Sequence, residues 1–288
     1  MCLPWRQGIA AVLSSLLYFK QKLVYLSPHH LPPFLGKRNL TLNRALIYPS
    51  HVPNLARTEV PRPSQFGITD FEELMIPTRD GEKLSAFYIR APKARARKLT
   101  VLMFHGNAGN IGHRVPIARM LMQRMGCNVF MLEYRGYGLS TGSPDETGLM
   151  IDAQTAFDYL RKRAETRDHD IVIFGQSLGG AVSIQLVARN QNDSRLVGLV
   201  LENTFLSMRK LIPSYVFPLR HSYHINNGSI IPPAKYLTLL CHQVWASDSY
   251  LPSITEVPIL FLSGLHDEIV PYVLPALLLP PHNLRMMT

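Results

Sequence analysis

The sequence is poor in cysteine and in charged residues. Only three of its 288 residues are cysteines, at positions 2, 127 and 241, and no two of them stand in a CxxC spacing. That pattern indicates neither a disulfide framework nor a zinc site. Charged residues make up 17% of the chain and apolar residues 47%. Such a chain can bury one large core and is not expected to be disordered.

An apolar run long enough to cross a bilayer is also missing near the amino terminus. The run at residues 8–19, GIAAVLSSLLYF, has 12 residues, whereas a spanning helix needs about 20. Arg6 before the run and Lys20 and Lys22 after it are typical flanks of an anchor. The run is therefore a short anchor, a signal-like core without a clear cleavage site, or a buried helix. We favour membrane attachment.

Acidic residues are absent from the first part of the chain, where the first is Glu59, and the formal net charge is +10. A second basic run lies at residues 93–98. The simplest interpretation is a solvated basic surface, and the alternative is a patch that faces anionic lipid. No helix-turn-helix, zinc-finger or RNA-reading motif is present, so we expect no nucleic-acid partner. No metal, nucleotide or flavin motif is present either, so we expect no cofactor and no metal.

The periodicity of apolar residues divides the chain into two parts. Residues 1–65 hold the anchor candidate and a basic, proline-rich connector, and residues 66–288 form the folded domain. Strands are predicted at 71–75, 83–90, 99–104, 129–134, 171–174, 196–201 and 259–263, and helices at 117–125, 150–163 and 178–189. This alternation predicts an α/β fold with a mostly parallel sheet and helices on both faces. Residues 207–255 interrupt the pattern and predict a lid or, equally well, a surface excursion without a function.

The strongest motif is Gly175-Gln-Ser177-Leu-Gly179, a G-x-S-x-G sequence. It follows a predicted strand and opens a predicted helix, which is the context of a nucleophile elbow. In such an elbow a strained turn raises the serine hydroxyl out of the sheet, where a base can reach it. Ser177 is therefore the predicted nucleophile.

A second motif, HGNAGN at residues 105–110, directly follows the strand 99–104. In this architecture that loop supplies one donor of the oxyanion hole. We predict that the backbone N–H groups of Asn107 and Leu178 are the two donors. His105 is predicted to be structural, because the chain order in this fold is serine, acid, histidine. The glycine-rich stretch 134–142 is predicted to be scaffold.

The acid is expected after the last predicted strand, in the sequence SGLHDEIVP at residues 263–271. Asp267 is the predicted acid, Glu268 is its closest rival, and Glu202 is a second alternative. His266 is expected to point away from Asp267. The only histidine after Asp267 is His282, 15 residues further on. A helix and a strand would normally fill that interval, so His282 is a weak candidate for the base.

Five motifs, HGNAGNIGHR, EYRGYG, FGQSLGGAV, ENTFLS and SGLHDEIVP, occur in this order. Together they resemble the membrane-anchored serine hydrolases of the alpha/beta-hydrolase domain-containing thirteen type and their fungal bud-emergence relatives. The resemblance covers residues 66 to about 272. It implies the α/β-hydrolase fold, an amino-terminal anchor, a Ser–Asp–His triad and an acyl ester or thioester substrate. It also implies a membrane location, in the endoplasmic reticulum or another endomembrane.

The chain departs from this family in three places. In the relatives the catalytic histidine follows a further helix and strand, so the chain is expected to lack the final strand and the histidine segment and to be nearly inactive. Residues 24–44 and 215–230 also look foreign to the family. Two alternatives therefore stay open: a non-catalytic, membrane-associated protein with a hydrolase fold, and a serine peptidase similar to the prolyl oligopeptidases.

Overall fold

The computed structural model describes residues 47–211, residues 243–263 and the backbone of a last strand at 285–287. Eight strands and four α-helices are present in these ranges. The strands are β1 (Phe71–Pro77), β2 (Lys83–Ile89), β3 (Leu99–Phe104), β4 (Asn128–Leu132), β5 (Asp170–Gln176), β6 (Leu196–Glu202), β7 (Ile259–Leu262) and β8 (Arg285–Met287). The helices are α1 (Val115–Met125), α2 (Glu146–Lys162), α3 (Leu178–Asn190) and α4 (Ser247–Tyr250), with 3-10 turns at Pro63–Phe66, Ile111–Arg114 and Leu251–Ser253.

The strands form one sheet in the order β1-β2-β4-β3-β5-β6-β7-β8. β1 and β2 form an antiparallel hairpin, and β2 pairs antiparallel with β4. All other neighbours are parallel. The predicted mostly parallel α/β fold is therefore confirmed. Because the parallel strands run in one direction, the loops that follow them meet at one edge of the sheet, called here the carboxyl edge.

Apolar side chains cover both faces of the sheet. One core contains residues of α2 and α3 together with Leu102, Phe104 and Trp245. The other contains residues of α1 packed on Val101 and Met103. Alternate residues of β3 thus enter opposite cores, as the alternation of side chains along a strand requires. This two-sided burial explains why β3 and β4 are continuous apolar runs in the sequence.

Two helices begin earlier than predicted. α1 starts at Val115 rather than at residue 117, with a proline in its first turn, where a missing N–H removes no helical bond. α2 starts at Glu146 rather than at residue 150, because the Asp145 side chain caps it by accepting from the Gly148 N–H at 2.7 Å. The helix starts were predicted too late because the apolar pattern in the sequence does not extend over these first turns.

The carboxyl-terminal end of the sheet differs from the prediction. No strand was expected after β7, yet the three residues of β8 pair in parallel with β7, with Leu260 opposite Arg285 and Leu262 opposite Met287. The sequence RMM has no clear strand pattern of its own. Pairing with an exposed sheet edge supplies the hydrogen bonds that stabilise so short a strand.

The part of the predicted connector that the structure describes is residues 47–65, and after Ile47, which is helical, it contains turns and the start of a 3-10 helix. It nevertheless packs on the domain, since Tyr48, Val52 and Ala56 are buried. The anchor candidate at 8–19 and the foreign segments at 24–44 and 215–230 lie outside the described residues. Within the described ranges, no helix has the length and apolar character needed to cross a bilayer.

Most of the predicted lid, residues 212–242, also lies outside the described part. The segment that follows it in the chain begins at residue 243 and is hydrogen-bonded to the rest of the domain. Trp245 is fully buried, and its Nε1–H donates to the Tyr48 hydroxyl at 2.9 Å. The backbone N–H groups of Val244 and Trp245 donate to the carboxylate of Glu146 at 2.7 and 3.0 Å. These bonds place the returning segment against the first turn of α2.

Candidate active site

Ser177 occupies a strained turn between β5 and α3 at the carboxyl edge. Its φ of +52° and ψ of −113° lie in a region that serine rarely adopts, at a cost of about 1–3 kcal/mol. Three hydrogen bonds hold the turn. The Ser177 N–H donates to the Glu202 carbonyl at 2.9 Å, and the Ser177 carbonyl accepts from the Gly180 N–H at 2.9 Å and the Thr204 hydroxyl at 3.0 Å. This is the backbone geometry expected of a nucleophile elbow.

Glycine is required around this turn because neighbouring backbone approaches closely. A Cβ on Gly179 would overlap the carbonyl oxygen of Phe104 and lie 2.7 Å from that of His105. A Cβ on Gly175 would overlap the Ser183 hydroxyl, and one on Gly180 would overlap the Thr204 side chain. The glycines of GQSLGG therefore let the start of α3 rest against the ends of β3, β5 and β6.

The loop after β3 lies beside Ser177. A Cβ on Gly106 would stand 3.7 Å from the Cβ of Ser177, in ordinary contact distance. The two amides predicted to form the oxyanion hole belong to the residues that follow Gly106 and Ser177. Neither the Asn107 N–H nor the Leu178 N–H donates to an atom of the described residues. Leu178 is also the first residue of α3, where the amides of a helix have no helical partner.

Two buried tyrosines fix the carbonyl side of this loop. The Tyr134 hydroxyl donates to the His105 carbonyl at 3.0 Å, and the Tyr137 hydroxyl donates to the Asn107 carbonyl at 2.9 Å. Both tyrosines are fully buried. Because these hydrogen bonds fix the carbonyls of His105 and Asn107, they constrain the orientation of the peptide planes in the loop between them. The predicted scaffold role of residues 134–142 agrees with these contacts.

His105 is a buried structural group, as predicted. Its Nδ1 lies 2.7 Å from the Gly106 carbonyl, which can only accept, so Nδ1 carries a hydrogen. Its Nε2 lies 3.0 Å from Oε1 of Glu133, and neither side chain is more than 1% exposed. The other oxygen of Glu133 accepts from the Ile111 N–H at 3.0 Å. Sequence reasoning missed Glu133, although a glutamate at the end of the apolar run VFMLEY was a signal for a buried, paired carboxylate.

Replacing Glu133 with leucine is expected to destabilise the domain by about 1–3 kcal/mol, because it leaves the buried Ile111 N–H without its acceptor. Glu133→Gln keeps an oxygen for the Ile111 N–H and should cost less. Urea titration of the two variants and the wild type measures the difference. Equal stability of Glu133→Leu and wild type would contradict the assigned role.

The amino-terminal segment also contacts the loop, which the sequence did not predict. The Val52 carbonyl accepts from the Gly109 N–H at 2.7 Å. The Asn110 side-chain amide donates to the carbonyls of Ala56 at 2.9 Å and Glu59 at 2.8 Å. These are bonds between an irregular segment and a loop, and apolar periodicity carries no information about them.

Glu202, the alternative acid, lies next to the elbow at the end of β6. Its Oε2 accepts from the Gln176 side-chain amide at 3.2 Å. Burial raises the pKa of Glu202, and the positive charge of Arg114 partly offsets that shift. The Arg114 guanidinium in turn donates to the Ala108 carbonyl at 3.2 Å. The structure thus brings Ser177, Gly106, Arg114 and Glu202 together.

Four other residues considered for the triad, His266, Asp267, Glu268 and His282, lie outside the described residues. β7 ends at Leu262, at the carboxyl edge where Ser177 stands, and Asp267 follows five residues later in the chain. His282 precedes β8, which runs parallel to β7 towards that same edge. Among the described residues, no group of three or more His, Cys, Asp or Glu side chains is arranged to hold a metal ion.

Known proteins of the same fold resemble this chain. A family model described as Hydrolase_4, serine aminopeptidase S33, matches residues 95–232. Bem46 of Schizosaccharomyces pombe is 43% identical over 79% of this chain and 71% of its own length. An uncharacterised membrane protein of Saccharomyces cerevisiae is 40% identical over 78% of this chain and 72% of its own. The α/β-hydrolase domain-containing protein WAV2 of Arabidopsis thaliana is 37% identical over 78% of this chain and 71% of its own.

Among solved structures, an α/β hydrolase from Vibrio vulnificus has a TM-score of 0.63 at 22% identity, covering 82% of this chain and 79% of that one. An esterase from Pyrococcus furiosus has a TM-score of 0.58 at 16% identity, covering 77% and 79%. The protein is an α/β hydrolase. More narrowly, it belongs to the family that contains Bem46 and WAV2, so the predicted resemblance is confirmed.

Proposed function

We propose that this protein is a serine hydrolase that cleaves carboxylic esters or thioesters, on a lipid or on an acylated protein. The observation that carries the proposal is the strained Ser177 turn with two amides beside it, those of Asn107 and Leu178, that have no acceptor among the described residues. Two such donors can stabilise the oxyanion that forms when the serine attacks a carbonyl. Loss of one donor costs about 2.7–4 kcal/mol in a protease example.

In the proposed mechanism the Ser177 oxygen attacks the acyl carbon while a histidine accepts the hydroxyl proton. The same histidine then protonates the leaving alcohol or thiol, and water releases the acyl group from Ser177. Asp267 is the proposed acid that orients the histidine, since it follows β7 at the carboxyl edge. His282 is the one histidine that follows Asp267 in the sequence, and it stands before β8 rather than after it. No cofactor or metal takes part in these steps.

The matched family model is described as a serine aminopeptidase, which supports a peptidase as the second candidate function. The two candidates differ in the bond they cleave, because an amide has a poorer leaving group that requires protonation by the histidine. With imidazole added as a proton acceptor, we expect slow turnover of acyl p-nitrophenyl esters and acyl thioesters and much slower turnover of aminoacyl and prolyl anilides. Ser177→Ala serves as the blank for each substrate. Faster cleavage of the anilides would favour the peptidase, and no Ser177-dependent cleavage of any substrate would favour a non-catalytic role.

We also propose attachment to the endoplasmic reticulum or another endomembrane through residues 8–19 and their basic flanks. The relative from Saccharomyces cerevisiae that carries the name of a membrane protein supports this. Retention of the full chain on uncharged vesicles tests it, and full release would contradict an inserted anchor.

A further inference from the structure

The surface beside α1 carries five cations that have no acidic partner among the described residues. This cationic face consists of Lys93, Arg95, Arg97, Arg119 and Arg124, all of them exposed. Many other basic side chains of the domain pair with carboxylates, as Arg90 does with Glu165 at 2.7 Å and Arg135 with Asp80 at 2.7 Å. None of the five forms an ion pair with a carboxylate of the described residues. The carboxylates of the described residues therefore leave these five charges unneutralised.

The cationic face is continuous and also carries exposed apolar groups. Arg95, Gln123 and Arg124 line one shallow groove, and Arg119, Met120, Gln123 and Arg124 line the next, so that Gln123 and Arg124 join the two. Met120 is 54% exposed and Met125 is 39% exposed. Exposed large apolar side chains among unpaired cations are characteristic of surfaces that meet a bilayer interface.

We propose that the cationic face docks onto an anionic phospholipid surface. Lysine and arginine side chains near such a surface are attracted by its negative potential, and flexible methionines can enter the headgroup boundary. A nucleic acid would meet the same charges, but the most exposed large apolar side chains of this face are methionines, which offer no stacking surface for bases, and the one aromatic ring that lines its grooves, Phe66, is only partly exposed. Lipid is therefore the partner that the exposed methionines favour.

The docked orientation has a consequence for the substrate. Residues 93–97 lead into β3, and α1 runs from the carboxyl edge down to Met125, shortly before β4 begins. The cationic face therefore extends from the middle of α1, where Arg119 lies, to the amino edge of the sheet, and Ser177 is at the opposite edge. A docked domain presents Ser177 to the aqueous side. If the proposed hydrolase function holds, this orientation favours an ester or thioester carried by a macromolecule in the water phase over one embedded in the bilayer.

Charge reversal tests the docking without requiring any activity. The variant Arg119→Glu/Arg124→Glu and the control Arg79→Glu/Arg189→Glu each replace two exposed arginines, taking the formal charge from +10 to +6. The full chain is sedimented with phosphatidylcholine vesicles and with phosphatidylcholine–phosphatidylserine vesicles. The result is expressed as the affinity for the phosphatidylserine-containing vesicles divided by the affinity for the phosphatidylcholine vesicles. An inserted anchor contributes to both affinities, so its contribution cancels in this ratio.

We expect the variant to lower that ratio at least about tenfold and the control to change it much less. Equal ratios in variant and wild type, or an equal fall in the control, would overturn the proposal. Duplex RNA is measured in parallel, and a loss confined to RNA binding would also overturn it. Thermal unfolding of both variants confirms that each is folded.

Two single cysteines test the orientation. Met120→Cys lies on the cationic face, and Leu139→Cys, on a residue 52% exposed, lies in the loop after β4 at the carboxyl edge. Cys2 and Cys241 are replaced by serine in both, and Cys127 is buried. An environment-sensitive fluorophore at position 120 is expected to shift to the blue on phosphatidylserine vesicles, and the one at 139 is not. A shift at 139 alone would overturn the orientation, and a shift at neither position would overturn docking.

Discussion

Hydrolysis of a p-nitrophenyl ester by the 288-residue polypeptide is expected to be slow and nearly unchanged by His282→Ala. The base of a serine hydrolase must reach the nucleophile, and Ser177, the proposed nucleophile, stands at the carboxyl edge. His282, the one histidine after Asp267, follows it by only 15 residues, an interval too short for the helix and strand that would normally fill it. In a worked protease example, loss of the histidine costs on the order of 10⁶ in kcat.

Added imidazole is expected to raise the rate by supplying a proton acceptor, and Ser177→Ala is expected to remove that increment. The same imidazole concentration with Ser177→Ala gives the background of direct ester hydrolysis. A fall of about a hundredfold or more on His282→Ala would identify His282 as the base instead, since general-base catalysis is worth about 10²–10⁴.

Replacing Gly179 with alanine is expected to destabilise the domain by about 2–4 kcal/mol, and the added methyl is expected to disrupt the elbow. The new Cβ would overlap the Phe104 carbonyl, and a backbone atom inside a sheet cannot move aside as a flexible side chain can. Overpacking of a well-packed core alone costs about 1–3 kcal/mol. Denaturant unfolding measures the loss, and the circular dichroism spectrum reports whether the fold persists.

Gly198→Ala is the matched control in the neighbouring strand β6. A Cβ there would lie 3.5 Å from a methyl group of Val172, which is ordinary contact. We expect its free energy of unfolding to stay within about 1 kcal/mol of the wild type, because the loss of chain entropy in the unfolded state offsets small packing changes. Equal stability of the two alanine variants would contradict the close approach assigned to Gly179.

The elements with strong apolar periodicity could be predicted from the sequence. β3 was predicted to its last residue, and the strained turn at Ser177 lies between a strand and a helix, as the G-x-S-x-G sequence predicted. In each case the local sequence carries the information, since burial on both faces demands an apolar run and a strained turn demands glycine. The boundaries of α1 and α2 were wrong by a few residues because polar caps and first turns have no apolar period.

The contacts that support the site could not be predicted, because they join distant parts of the chain. The Glu133–His105 pair and the tyrosine bonds to the loop carbonyls depend on the packing of β4 against β3. The bonds from residues 52–59 to Gly109 and Asn110 come from a segment that looked like an open connector. β8 was missed for a similar reason: the edge of β7 stabilises it, and its own sequence does not.

The most direct test of the central claim is to locate the adduct of a fluorophosphonate probe on the folded protein. The reaction is stoichiometric, so it accumulates even where turnover is slow. After long incubation, digestion and mass spectrometry should find the phosphonyl mass on the peptide that contains Ser177, and the Ser177→Ala variant should carry none. An adduct on another serine of the folded wild type, with Ser177 unmodified, would contradict the assignment of Ser177 as the nucleophile.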